Sequence, residues 1–134
     1  TIIISDATSN GKQFYGGSKT YNNIWLTGNG TGSYTISDSN TFNDFKDDNS
    51  PAHSLLFGNA TTQTFTTFTV SGTAGNLITI SSDAAPSHTL TKVGGGLINS
   101  NYLSISRSTA TPSSTWHAGA NSVNGGNNIG WLFP

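Results

Sequence analysis

An apolar phrase recurs along this chain at an interval close to two dozen residues. It reads Tyr21-Asn22-Asn23-Ile24-Trp25-Leu26, then Phe42-Asn43-Asp44-Phe45, then Phe65-Thr66-Thr67-Phe68-Thr69-Val70. Its anchors Ile24, Phe45 and Phe68 lie 21 and 23 residues apart, a period that belongs to coils stacked on copies of themselves. After a glycine or polar turn, each phrase is followed by a second short strand: Tyr34-Thr35-Ile36, Leu55-Leu56-Phe57 and Leu77-Ile78-Thr79-Ile80. An antiparallel sandwich gives no reason for strand pairs to return in that order, so a parallel solenoid is the expected architecture.

The composition suits this reading. The 134 residues include 20 Thr, 19 Ser, 15 Asn and 16 Gly, slightly more than half the chain, and no Glu, Met or Cys. Helix formers are scarce and strand and turn formers abundant, which predicts an all-β fold. Only 8% of residues are charged, against a usual share of about 25%. Lys12, Lys19, Lys46, Lys92 and Arg107 are scattered and the net charge is −1, so no basic footprint for nucleic acid or an anionic membrane is present. No apolar run reaches the roughly 20 residues of a membrane span, and Thr1-Ile2-Ile3-Ile4 lacks the flanks of a signal peptide. The missing initiator Met suggests a mature product or a stable piece of a longer parent chain.

Strands are expected near residues 1–5, 22–26, 33–37, 41–46, 54–57, 64–70, 76–81, 89–92 and 101–106. Gly28-Asn29-Gly30, Gly58-Asn59, Gly72-Thr73-Ala74-Gly75 and Gly94-Gly95-Gly96 would turn the chain between them, since Gly and Asn accept positive φ cheaply. A fourth coil would carry Tyr102-Leu103-Ser104-Ile105, aligning Leu103 with Phe68 at a spacing of 35. That interval leaves room for a third strand at Thr89-Leu90-Thr91 and a loop through Ala84-Ala85-Pro86, where Pro86 is unsuited to a central ladder. Asn23 and Asp44 each precede an anchor and could form a short polar ladder, which Thr67 would break in the third coil.

The coils resemble right-handed parallel β-helix repeats. The second half of the chain, about residues 65–133, is similar to a terminal segment of uncharacterised phage and bacterial surface proteins. The phrases that carry this likeness are Phe68-Thr69-Val70-Ser71-Gly72-Thr73-Ala74-Gly75-Asn76-Leu77-Ile78, Tyr102-Leu103-Ser104-Ile105-Ser106, Trp116-His117-Ala118-Gly119-Ala120-Asn121-Ser122 and Gly125-Gly126-Asn127-Asn128-Ile129-Gly130-Trp131-Leu132-Phe133. The resemblance implies a fold and a setting and carries no catalytic residues. One domain over residues 1–134 is expected, with coils to about 110 and a C-terminal aromatic cap over about 111–134.

Two readings of the aromatic tail stand side by side. Trp116 and Trp131 could fold back over the last coil, as a solenoid end requires. Alternatively Trp116, His117 and Trp131 could form a glycan platform, with rings stacking on sugar faces. Trp25 alternates with Ile24 and Leu26 and should point outward, to pack under Phe14-Tyr15, meet a neighbouring subunit or bind sugar. The carboxylates Asp38, Asp44, Asp47 and Asp48 complete neither a glycosidase pair nor a calcium-dependent lyase site. Asp47-Asp48-Asn49-Ser50-Pro51 reads as a solvated turn.

His53, His88 and His117 show no metal-ligand spacing, and Gly94-Gly95-Gly96 lacks the Lys-Ser/Thr of a phosphate loop. No metal, cofactor or catalytic residue is therefore assigned. The expected role is a non-catalytic structural or adhesive module of a phage virion or bacterial surface fibre, extracellular, on the virion or at the cell surface. Its partners would be further copies, a trimer among the options, or other structural subunits. A glycan-binding module and a polysaccharide-degrading enzyme are the alternatives.

Overall fold

The computed structural model describes residues 1–134 and contains fifteen strands and no helix. In chain order these are β1 (Ile2–Ser5), β2 (Lys12–Tyr15), β3 (Thr20–Thr27), β4 (Tyr34–Ser37), β5 (Thr41–Asp47), β6 (His53–Phe57), β7 (Thr62–Val70) and β8 (Ile78–Ser82). There follow β9 (His88–Lys92), β10 (Ile98–Asn99), β11 (Leu103–Ser106), β12 (Ser108–Thr111), β13 (Trp116–His117), β14 (Val123–Gly126) and β15 (Trp131–Leu132). They form two six-stranded sheets, β1-β3-β5-β7-β9-β12 and β2-β4-β6-β8-β11-β14, and a three-stranded sheet β10-β13-β15. Every strand-to-strand ladder is parallel. The chain is a parallel β-solenoid of about six turns.

The repeated phrase explains the cross-section. The long strands β3, β5 and β7 turn a corner at Asn22, Asn43 and Thr66, which the ladder register skips. The limb before the corner continues upward as β9, which pairs with Thr62–Phe65, and then as β12. Beyond the corner, β1 pairs with Ile24–Thr27, and β10, β13 and β15 carry the same wall through the later coils. Three walls result: a first formed by the early limbs with β9 and β12, a second by β2, β4, β6, β8, β11 and β14, and a third beyond the corners.

Alternation along each strand points one set of side chains inward. Ile24, Phe45 and Phe68 share one register on the third wall, as the period predicts. Phe45 and Phe68 stack at 5.5 Å between centroids. Tyr21, Phe42 and Phe65 form a neighbouring column at 5.7 and 5.9 Å. Such ring pairs contribute about 0.5–1.5 kcal/mol each beyond the area they bury, which offsets the shortage of aliphatic residues. The second wall supplies Ile36 opposite Phe57, and Leu55, Ile80 and Ile105 in one register.

Three expectations need correction. Leu103 stacks on Ile78 of the second wall and is out of register with Phe68; the long interval holds a complete coil, with β9 on the first wall and β10 on the third. Thr67 does not end the polar ladder: its hydroxyl donates to Asp44 Oδ1, and Asn43 Nδ2 reaches Asn23 Oδ1 at 3.3 Å. The tail keeps the repeat. β13 pairs with β10, β14 with β11, Ile129 lies opposite Thr109, and β15 pairs with β13, so residues beyond Thr111 build a further coil on the same three walls.

Candidate functional site

Two polar clusters lie inside the solenoid. On the second wall His53 faces inward, and its Nε2 sits 2.8 Å from Asp47 Oδ2, with both side chains fully buried. The His53 Nδ1 lies 2.7 Å from the Pro51 carbonyl, which can only accept, so Nδ1 carries a hydrogen. The carboxylate contact at Nε2 needs a second hydrogen between ring and acid. Burial opposes charge on this ring, but the Asp47 hydrogen bond and charge, helped by the Pro51 carbonyl, outweigh it and raise the His53 pKa. Asn49 completes the cluster, giving hydrogen bonds to Asp47 Oδ1 from its backbone N–H at 3.1 Å and its side chain at 3.0 Å. The Asp47–Pro51 segment is thus no solvated turn, because Asp47 and Asn49 are buried and the acid satisfies neighbouring donors.

The second cluster centres on His88 of the first wall. The Trp131 Nε1–H donates to Ser108 Oγ at 2.9 Å, and Ser108 Oγ lies 2.8 Å from His88 Nε2. His88 Nδ1 lies 2.9 Å from Ser82 Oγ, which in turn donates to the Arg107 carbonyl at 3.0 Å. One assignment satisfies every group: Trp131 to Ser108, Ser108 to Nε2, Nδ1–H to Ser82, Ser82 to Arg107. It requires a neutral ring, in agreement with burial pushing the His88 pKa down to about 4. Ser82 and Ser108 stand in a relay that resembles nucleophile and base, yet both are buried and both hydroxyl hydrogens are committed, so a substrate has no approach.

The aromatic candidates divide by wall position. Trp116 is fully buried, its Nε1 donating to the Thr111 carbonyl at 2.8 Å and its ring 5.3 Å from Phe68 and from Trp131. Trp131 is 7% exposed. Neither indole offers a face to a sugar, because inward alternation places both in the core column above Phe68; as members of a glycan platform they are withdrawn. Their place is that of a terminal stack over the preceding coils.

Trp25 does point outward, into a row on the third wall that runs Ile3, Trp25, Lys46, Thr69 in ladder register. Its partners are not Phe14 and Tyr15: Phe14 packs edge-on against Tyr21 at 5.2 Å, across the core. Instead the Lys46 ammonium lies 4.7 Å from the indole centroid and 3.6 Å from Asp48 Oδ2, so a cation covers the ring. The outward row resumes in the later coils as Asn99, His117 and Leu132. Trp25 and His117, singled out separately in the sequence, therefore share one wall.

Between the two parts of that row the ladder opens. No sheet pairing joins β7 to β10, although Val93 N–H to Phe65 O (2.8 Å) closes the gap at one end and Gly72 N–H to Asn101 O (3.1 Å) at the other. The loop Val93–Leu97 inserted between β9 and β10 prises the strands apart, leaving a cleft of about 280 Å³ with Phe68 and Ile98 at its base and Thr67, Thr69, Lys92 and Asn99 around it. Lys92 Nζ donates to the carbonyls of Val93 (2.8 Å) and Gly95 (2.5 Å), which leaves one of its three hydrogens for a ligand. The residues of this cleft were missed in the sequence, since nothing in Thr67, Lys92 or Asn99 marks them until the register brings them together. A smaller hollow of about 230 Å³ adjoins His117, Leu132 and Phe133. No group of three or more His, Asp or Glu side chains is placed to hold a metal ion. Scans against family models, curated proteins and solved structures returned no match to this chain.

Proposed function

We propose that this chain is a structural or adhesive module that works without catalysis, by holding side chains in fixed register on the walls of a rigid solenoid. The observation that carries the reading is the fate of the reactive groups. Asp47, His53, Ser82, His88 and Ser108 are buried and saturate one another, while what faces solvent is ordered rows of side chains along parallel ladders. A place on a phage virion or bacterial surface fibre, outside the cell, rests on the likeness of the C-terminal phrases. Further copies or other structural subunits are the expected partners through the Ile3–Trp25–Lys46 row, with Ile3 56% exposed.

A second reading, glycan binding, is favoured by one observation: the open cleft groups two threonines, an amide and an ammonium hydrogen above an apolar base, the mixture a sugar face requires. Multi-angle light scattering together with polysaccharide digestion tests the proposal. Association of copies that Trp25→Ala weakens, with polysaccharides left at full length, is expected. A monomer that shortens a polysaccharide, and loses that ability as Asp44→Asn, overturns it.

A further inference from the structure

The first wall carries a pattern that neither reading uses. Thr20, Thr41, Thr64, Thr91 and Thr111 occupy one outward register position in five successive coils. A second rank, two residues earlier, holds Thr62, Thr89 and Thr109 in register, preceded by Ser39, whose Oγ accepts from the Thr62 N–H at 3.1 Å. No bulge interrupts these ladders. The ranks therefore form a rectangular array, with about 4.7–4.9 Å between strands and about 6.6 Å between ranks.

Strand propensity does not account for it. The preference of β-sheets for Thr acts equally on the second wall, yet its outward positions, though rich in serine, never align two threonines: Thr35 stands between Gln13 and Leu56, and Thr79 between Ser54 and Ser104. Thr91 and Thr111 share a hydroxyl contact of 2.9 Å; the hydroxyls of Thr20, Thr41, Thr62, Thr64, Thr89 and Thr109 make no hydrogen bond within the chain and are left for a ligand.

A ligand for this wall must itself be a lattice. A sugar chain or peptide would need a groove, an aromatic face or a charge, and the array has none. A threonine offers a hydroxyl that both donates and accepts, beside a methyl that cannot hydrogen-bond. Repeated in two dimensions, the hydroxyls can replace oxygen sites of an ordered water layer while the methyls occupy the spaces between, and their burial adds a hydrophobic contribution. The spacing between strands is close to the shortest oxygen repeat of hexagonal ice, and the spacing between ranks is somewhat shorter than the next repeat. Because the solenoid backbone holds the array before contact, little conformational entropy is lost on binding.

We propose that the threonine wall binds the surface of ice. The idea does not depend on the structural or adhesive role above. Thermal hysteresis and inhibition of ice recrystallisation, measured on the folded chain, test it. The wild type is expected to shape ice crystals and arrest their growth. Thr64→Lys and Thr89→Lys, each with an unchanged far-ultraviolet dichroism spectrum, are expected to abolish both effects, and Ser81→Lys on the second wall to leave them intact. The proposal is overturned by a folded wild type that leaves ice growth unchanged, by equal loss in Ser81→Lys, or by retention on crystalline cellulose or chitin with no effect on ice.

Discussion

At the scale of the residue, the two buried histidines make opposite demands on pH. His53 shares an extra hydrogen with Asp47, and its raised pKa means that its stabilisation is complete below the unfolded value of about 6.5 and lost as pH rises through the folded value. Charged and titratable neighbours of this pair are Tyr34, whose ring lies 5.8 Å from that of His53, and Lys12, 5.3 Å from the Tyr34 centroid and 3.5 Å from Asp6. His88 is held neutral, so its stabilisation is complete above about 6.5 and lost as pH falls toward its folded value of about 4. Unfolding by urea as a function of pH should therefore show greatest stability near neutral pH, with decline on both sides from these two groups. Asp47→Asn should flatten the alkaline limb and leave the acid limb, while costing about 3–5 kcal/mol because it breaks a fully buried pair. An unchanged alkaline limb in that variant would show that the pair does not titrate as its geometry requires. The polar clusters were illegible in the sequence: Asp47-Asp48-Asn49-Ser50-Pro51 has the composition of a surface turn, and only the inward step at the end of β5 places Asp47 beside His53.

At the scale of the element, the phrase that predicts the solenoid also builds its core. Phe45→Ala removes a ring that stacks on Phe68 and meets Phe42, Phe57 and Phe65 edge-on or tilted; a loss of about 3–5 kcal/mol is expected, measured by thermal or denaturant unfolding. The register of Ile24, Phe45 and Phe68 was legible because large apolar residues mark it. β2, β12 and β14 were not, since Lys12-Gln13-Phe14-Tyr15, Ser108-Thr109-Ala110-Thr111 and Val123-Asn124-Gly125-Gly126 owe their strand state to the ladders beside them more than to their own side chains. The final coil depends on glycine at its turns, at Gly119 and at Gly130. Gly130 has φ +82°, and a Cβ there would lie 2.0 Å from the Ala110 carbonyl oxygen, so Gly130→Ala should displace β15. A red shift of tryptophan emission would register Trp131 leaving the core, and an unshifted spectrum would count against this account of the turn.

At the scale of the whole molecule, each coil touches only its neighbours, and stability is a sum along the axis. Beside the cleft, β7 lacks an upper ladder beyond its corner, but the other inner strands β3, β4, β5, β6 and β8 have a ladder on both sides, whereas β1 and β2 have one only, and Ile2, Ile4 and Phe14 are merely half-buried against the core. Amide exchange should therefore be fastest over residues 1–16 and slowest over β5, β6 and β8; uniform protection along the chain would contradict an additive solenoid. The last coil is tied differently, because Trp131 reaches through Ser108 and His88 to Ser82 and Arg107, so its fraying must break a buried relay. The loop from Val93 to Leu97 bears on how such a chain changes its surface. It enters at a corner, separates β9 from β10, and leaves the register on either side intact, so new segments can be added there without renegotiating the core: the corner is a port through which a solenoid of fixed interior can acquire a new exterior.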